Sequence, residues 1–328
     1  MSLTEKQKQI LNLLVDGQFH SGTELAETLG ISRSAICKHI NTMTLIGLSF
    51  AAVTGKGYRL NMPLQWLDAE VIYALIALPF QALVAPIEIY PQIDSTNRYL
   101  LEQPTPSANT AHVCLAESQT AGKGRRGRHW VSPFGSNLYL SLKWQFNQGY
   151  ASAAGLSLAI GLAVIKALQQ HQIDNIGLKW PNDLYSQGKK LGGILIEMTG
   201  ETDGPCVAVI GLGLNVVMPD HEAETITQAW TDLYQVTGRK LDRNQLAASL
   251  ISEFLKILTV FEDVGINAYL AEWRQHDCLI NQAAKLFITD QPITGIVRGI
   301  DDKGFLLLEH PDGKIQAFAS GDVSFSGQ

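Results

Sequence analysis

The stretch GKGRRGRHWVSPFGSNLYLSLKW, residues 122–144, decides between two folds. Its first six residues, Gly122 to Gly127, match G-x-G-x-x-G, the dinucleotide-binding fingerprint. That fingerprint requires a helix directly after the glycines, because the helix N-terminus receives the pyrophosphate. Here Trp130, Pro133 and Gly135 follow, then the strand-like run NLYLSLKW, so a doubly wound dinucleotide fold is excluded. What remains is a glycine-rich loop with four cations in six residues, Lys123 to Arg128. Backbone N–H groups and basic side chains on such a loop can surround an anion, and a phosphorylated ligand fits. The competing reading, a solvated basic loop, is weakened by the interleaved glycines.

Downstream of the loop, Lys179-Trp180-Pro181-Asn182-Asp183 ends one strand and turns into another, placing a cation, an aromatic face and amides at a sheet edge. An ordinary Pro-Asn-Asp turn reads the same way. Lys190 precedes Gly192-Gly193 in KLGGILIEM, and Gly211-Leu212-Gly213-Leu214-Asn215 puts glycines inside a second strand. Glycine weakens a strand, so those positions mark either close approach of a ligand or tight sheet packing. Upstream, Asp94-Ser95-Thr96-Asn97 separates the strand IEIYPQI from the helical NRYLLEQ, and Ser95 or Thr96 reads as an N-cap. No G-x-S-x-G, metal-spaced His pair or Cys–His arrangement points to a covalent enzyme intermediate or a catalytic zinc. His221, with Glu222 and Glu224, reads as an exposed acidic loop.

Before these motifs lies a separate unit. Ile10, Leu11, Leu14 and Val15 form one helical stripe ended by Gly17; Ser21 and Glu24 have capping-box spacing for a second helix to Leu29; Ser32 caps a third. In the third, Ile36, Ile40 and Met43 face inward, and Arg33, Ser34, Cys37, Lys38 and Asn41 share the opposite face. SFAAVTGKGYRL reads as a hairpin about Gly55-Lys56-Gly57. Three helices and a hairpin predict a winged helix-turn-helix. Asn61 and Pro63 suggest a linker, Leu67 to Leu78 a helix, residues 88–217 a mixed α/β domain with one clear helix from Ala151 to Gln170, residues 244–273 helices, and residues 282–325 short strands.

At 328 residues the chain exceeds one hydrophobic core, and 46% hydrophobic against 17% charged residues is a globular balance. Net charge is −6, yet residues 1–60 carry six Lys/Arg against four Asp/Glu. Basic character is therefore concentrated at the N-terminus. The polar start MSLTEKQKQI carries no secretory pattern, which predicts a cytoplasmic protein. The most apolar stretch, Ala151 to Leu168, is broken by Ser157, Gly161 and Lys166, so a buried helix is expected and no membrane partner. Cys37, Cys114, Cys206 and Cys278 have no paired spacing and read as reduced structural thiols.

Taken together, STN (95–97), GKGRRGRHW (122–130), KWPND (179–183), KLGGIL (190–195) and GLGLN (211–215), in this order, resemble bacterial biotin–protein ligases. The winged helix makes the chain most similar to the bifunctional biotin ligase and biotin operon repressor. The resemblance implies an α+β multidomain fold: a winged-helix DNA-binding domain (1–63), a class II synthetase-like catalytic domain binding biotin and ATP (65–276), and a small SH3-like β-barrel (277–328). It implies attack of the biotin carboxylate on the ATP α-phosphate, giving biotinyl-5′-AMP, then transfer to a lysine of the biotin carboxyl carrier protein of acetyl-CoA carboxylase. Mg2+ is expected from the ATP chemistry, with no metal ligands assigned.

By resemblance, Lys123, Arg125, Arg128 and Lys190 are catalytic. Ser95, Thr96, Asn97, Gln119, Lys123, Gly124, Arg125 and Lys190 contact biotin or its acyl phosphate, with Tyr139, Gly193 and Leu195 lining the pocket. Gly122, Arg128, Trp130, Lys179, Asn182, Asp183 and Asn215 form the nucleotide side. Arg33, Ser34, Lys38, Asn41 and Lys56 face operator DNA, and biotinyl-AMP promotes a homodimer. Two departures stand out. Lys123 occupies a place where such ligases commonly carry Arg, and lysine lacks the bidentate fork. The C-terminal FSGQ lacks the basic residue of some relatives, so no nucleotide contact is assigned to the barrel, which is expected to engage the carrier instead. The alternatives are a biotin-sensing repressor without turnover and a lipoate ligase.

Overall fold

A computed structural model describes residues 3–61, 64–200, 204–219, 226–288 and 291–325. Pro63, the His221–Glu222–Glu224 cluster and the last three residues of FSGQ lie outside the described residues. The first unit is built from α1 (Glu5–Leu14), α2 (Gly22–Leu29), α3 (Arg33–Thr44) and the hairpin β1 (Phe50–Val53) with β2 (Gly57–Leu60). Thr4 and Ser21 close capping boxes on α1 and α2, Ser32 caps α3, and Gly30 ends α2 in the left-handed conformation. Ile10, Leu11, Leu14, Leu25, Ile36, Ile40 and Met43 form its core. Gly57 is required: a Cβ there would sit 1.9 Å from the His20 carbonyl oxygen, where the hairpin bonds back to the loop before α2.

The region predicted as one helix from Leu67 to Leu78 is two: α4 (Ala69–Leu75), capped by Asp68, and α5 (Leu78–Gln81), with Ile76 extended between them. Pro79 has no N–H to continue the ladder, so the helix breaks although the apolar spacing runs on. IEIYPQI likewise yields only β3 (Glu88–Tyr90), because Pro91 cannot donate to a neighbouring strand.

The central sheet adds β4 (His112–Ala116), β5 (Leu138–Phe146), β6 (Gly177–Lys179), β7 (Asp183–Ser186), β8 (Lys189–Gly200) and β9 (Cys206–Leu214), in the order β3-β4-β5-β9-β8-β7-β6. Among the described strand pairs of this sheet only β3–β4 is parallel. Strand side chains alternate between faces, and β5 uses both. Leu138, Leu140, Leu142, Trp144 and Phe146 join the main core, with α7 (Leu156–Gln170) and α9 (Arg243–Leu258) over that face. Tyr139, Ser141 and Lys143 point the other way, towards α6 (Thr96–Glu102). By length and mean hydropathy (1.8) Tyr150–Gln170 passes as a membrane span, but the fold packs it as the central core helix. The short α8 (Leu233–Thr237) and α10 (Phe261–Val264) precede and follow α9.

After α11 (Asn267–Gln275), β10 (Ala283–Phe287), β11 (Ile293–Ile300), β12 (Leu306–Glu309), β13 (Ile315–Phe318) and β14 (Asp322–Phe325) form an antiparallel sheet, ordered β13-β12-β11-β10-β14. The first unit is wired to the second. Trp66 Nε1 donates to Asn12 Oδ1 (2.8 Å), its ring meets Phe134 edge-on at 6.0 Å, and Phe134 packs into the winged-helix core. A buried Arg243–Glu117 ion pair (2.8 Å) holds the connecting segment, Glu117 accepting from Leu67 N and Arg243 donating to the Gln65 carbonyl. The four cysteines are free: Cys37 exposed, Cys114 and Cys206 buried, Cys278 half-buried.

Candidate active site

Residues of β8 and β9 floor a cavity of about 920 Å3 that the glycine-rich loop borders. At one end lies the start of α6. Ser95 caps that helix through Arg98 N, as the N-cap spacing implies, and Lys143 Nζ donates to the Leu100 and Gln103 carbonyls at its far end. Thr96 N donates to Gln119 Oε1 (2.9 Å). The Ser141 hydroxyl donates to Asn97 Oδ1 (2.6 Å) and lies 2.7 Å from Thr96 Oγ1, while Asn97 Nδ2 donates to Glu197 Oε2 (2.8 Å) and the Leu195 carbonyl (3.2 Å). Every member is held by another, so a small polar ligand meets donors and acceptors already oriented.

The other end is electrostatic. Lys190 Nζ pairs with Asp183 Oδ1 at 2.9 Å and lies 5.6 Å above the Trp130 ring; Lys179 reaches Asp183 Oδ2 at 3.9 Å. Burial pushes the Lys179 ammonium down from its ordinary pKa, with Lys190 adding to that effect and Asp183 opposing it. Arg125 donates to Asn182 Oδ1 (3.3 Å), and burial lowers its pKa too, against the carboxylates of Asp322 and Asp183. The loop turns in a single 3₁₀ turn, Arg125–Gly127, with Arg126 left-handed at φ 55°. No helix follows it, in keeping with the rejected dinucleotide reading.

The strand glycines serve packing. A Cβ on Gly211 would lie 2.2 Å from Asn97 Oδ1, and one on Gly213 would lie 2.4 Å from the Trp130 ring. The missing side chains make room for the residues that form the site walls. Gly122 is similar, its absent Cβ lying 2.7 Å from the Trp130 carbonyl.

Ser95, Thr96, Asn97, Gln119, Lys123, Gly124, Arg125, Arg128, Trp130, Asn182, Asp183, Lys190, Gly193, Leu195 and Asn215 all line the cavity. Three predicted residues lie behind that lining: Gly122 beneath the loop, Lys179 behind Asp183, and Tyr139, whose hydroxyl donates to the Pro133 carbonyl. Sequence reasoning missed Ser141, Glu197 and Asp322. Ser141 was legible as the polar alternate of LYLSLKW; Glu197 sits two residues after Leu195 on the same strand face. Asp322 comes from β14, and it bonds Arg128 at 3.0 Å, so the C-terminal sheet reaches the site, which the sequence did not reveal. Phe325 of the same strand faces Lys179 at 5.9 Å.

On the first unit, Arg33, Ser34, Lys38 and Asn41 are exposed along α3, and Lys56 is exposed at the hairpin tip, with the buried Ile36, Ile40 and Met43 opposite. Among the described residues no group of three or more His, Cys, Asp or Glu is placed to hold a metal ion.

A cation-rich, polar-floored cavity joined to a helix-turn-helix defines an enzyme that handles anionic ligands and carries a DNA-binding module. The descriptions of known families agree. Residues 89–215 match the biotin/lipoate A/B protein ligase family, 280–326 the biotin protein ligase C-terminal domain, and 6–59 a helix-turn-helix domain. The chain is 46% identical over 315 residues to the bifunctional ligase/repressor BirA of Salmonella typhimurium, covering 96% of each chain, and 46% identical over 316 residues to that of Escherichia coli with the same coverage. A biotin protein ligase from Aquifex aeolicus, solved in complex with biotin and ATP, superposes with a TM-score of 0.62 at 29% identity, over 73% of this chain and 99% of that one. The chain belongs to the biotin protein ligase family, in its bifunctional ligase/repressor branch.

Proposed function

We propose that this protein activates biotin with ATP to biotinyl-5′-AMP, transfers biotin to a lysine of a biotin carboxyl carrier protein, and represses biotin-synthesis genes as a homodimer on operator DNA when the adenylate is bound. The observation that carries the reading is one cavity with an oriented hydrogen-bond network at one end and Lys123, Arg125, Arg128 and Lys190 at the other.

In the first step a biotin carboxylate oxygen attacks the α-phosphorus and pyrophosphate leaves. Both reactants are anions, and two unit charges about 4 Å apart repel by about 4 kcal/mol at an effective dielectric near 20. The four cations offset that repulsion and meet the charge that develops on the phosphoryl oxygens. In the second step the carrier lysine amine attacks the acyl carbon, loses a proton, and AMP leaves. Thr96, Asn97 and Gln119, the first two oriented from behind by Ser141, suit the polar ring of biotin, and Gly193 and Leu195 its chain. Trp130 Nε1 and Asn215 Oδ1 are buried without a partner among the described residues, which suits completion of their bonding by a nucleotide.

The cavity carboxylates Asp183 and Asp322 are engaged by lysines and arginines, so they form no cage for Mg2+. The ion belongs to ATP as substrate, and no step is assigned to it. We further assign 1–63 as winged helix, 65–276 as a class II synthetase-like catalytic unit and 277–328 as an SH3-like barrel, and place the ATP-dependent reaction in the cytoplasm. Arg33, Ser34, Lys38, Asn41 and Lys56 are the DNA contacts of each protomer.

Pyrophosphate exchange into ATP, measured with biotin, with lipoate and with neither, tests this without the carrier. Exchange only with biotin is expected, falling about 100-fold in Lys190→Ala, the scale of removing one preorganised charge-stabilising group. Exchange only with lipoate, or none in folded wild-type protein, would overturn the assignment.

A further inference from the structure

The three loop arginines converge on one carboxylate from another part of the chain. Asp322 Oδ2 lies 3.0 Å from Arg128 and 3.5 Å from Arg126, and Oδ1 lies 3.5 Å from Arg125. The Asp322 side chain is only 11% exposed and that of Arg125 26%, so water and salt screen this contact less than on an open surface, whereas Arg126 (42%) and Arg128 (64%) reach the same carboxylate from the solvent side. Arg126 also donates to the Ile288 carbonyl beyond β10, and it does so from a left-handed backbone that favours glycine. Asp322 itself is fixed by β14 pairing with β10, where it stands opposite Phe287. The loop is thus tied through three side chains to one residue on a strand of a different sheet.

Three guanidinium groups within four residues repel one another, and a loop of glycines and arginines has high entropy when free. A carboxylate has about four lone-pair sites, enough for all three arginines. We propose that Asp322 is a positioning residue for the ligase reaction: its carboxylate latches the loop over the cavity through Arg125, Arg126 and Arg128, so that the loop retains the acyl adenylate and excludes water. This rests on the proposed ligase activity for the identity of the retained ligand, but the latch is a property of the loop and is read separately. It explains why an acidic side chain stands in a cavity built for anions.

The test uses the full chain with Asp322→Asn, which keeps the shape and removes the charge, and Asp322→Glu, which restores it. Two quantities are read with biotin and ATP present: the rate of tryptic cleavage at Arg125, Arg126 and Arg128, and the rate of adenylate loss to water without carrier. In Asp322→Asn both rates are expected to rise about tenfold, equivalent to ~1.4 kcal/mol, with Asp322→Glu returning both towards wild type and the melting temperature unchanged. A merely structural role would lower the melting temperature and would not be rescued by Glu. Unchanged cleavage and unchanged adenylate loss in a folded Asp322→Asn protein would overturn the latch. Absence of adenylate in wild-type protein would overturn the ligase reading instead, leaving the cleavage comparison to decide the latch alone.

Discussion

Asp277 shows what a single buried acid does to this molecule. It bridges to Leu178 of β6 at the start of the C-terminal sheet region, accepts one bond from Leu279 N (2.8 Å), and leaves Oδ2 buried without a partner among the described residues. Burial pushes its pKa up to about 6 from the ordinary 3.8, against the lowering effect of the Leu279 and Ile280 amides. The folded state therefore holds the proton more tightly than the open chain. Stability from this group is fullest below pH 3.8, declines between 3.8 and about 6, and above that the fold bears the whole penalty, on the order of 3 kcal/mol. Asp277→Asn is expected to raise the melting temperature at pH 8 and to lose that advantage towards pH 4. Equal melting shifts at both pH values would refute the assignment. At this scale the motif residues 95–97, 119, 123–130, 182–183 and 190 were legible, because their types and spacing are local. Asp277 and Asp322 were not, since an isolated Asp gives no sign of what surrounds it.

Strand alternation is the clearest link from sequence to site at the level of elements. LYLSLKW in β5 sends its even-numbered residues to the core and Tyr139, Ser141 and Lys143 to the α6 face, a period-two pattern that any reader can count. In β9 the same alternation places Gly211 and Gly213 on the site face, where Asn97 and Trp130 occupy the space of their missing side chains. The sequence left ligand contact and sheet packing open for these glycines, because both produce the same residue type. Gly211→Ala is expected to displace Asn97 from Ser141 and Glu197 and to weaken biotin binding at least tenfold. Its stability cost should stay within about 1–3 kcal/mol, typical of overpacking. Titration calorimetry with biotin checks it, and unchanged affinity would remove Asn97 from the biotin site. The division of residues 67–78 into α4 and α5 was less legible, since Ile72 and Ile76 keep helical spacing across a break set by Pro79.

Across the whole molecule, the three units meet around the site. The connecting segment is clamped by Arg243 and Glu117, buried to 4% and 1% side-chain exposure, and Trp66 links Asn12 of α1 to Phe134, four residues past Trp130. Removing one partner of a buried pair strands the other charge, so Arg243→Met is expected to destabilise the catalytic unit by about 3–5 kcal/mol. The double variant Glu117→Gln, Arg243→Met should recover part of that loss. Urea denaturation followed by tryptophan fluorescence distinguishes them, and equal stability of single and double variants would refute the pair's role. By itself the sequence determined the winged helix, the mixed sheet, the basic glycine-rich loop and most of the motif residues, because caps, alternation and charge spacing act between near neighbours. Only the tertiary structure decided which side chain fills each glycine's space, which carboxylate faces the loop arginines, and how the first unit is fastened to the second. Those contacts join residues as far apart as 125 and 322, and nothing local in the chain encodes them.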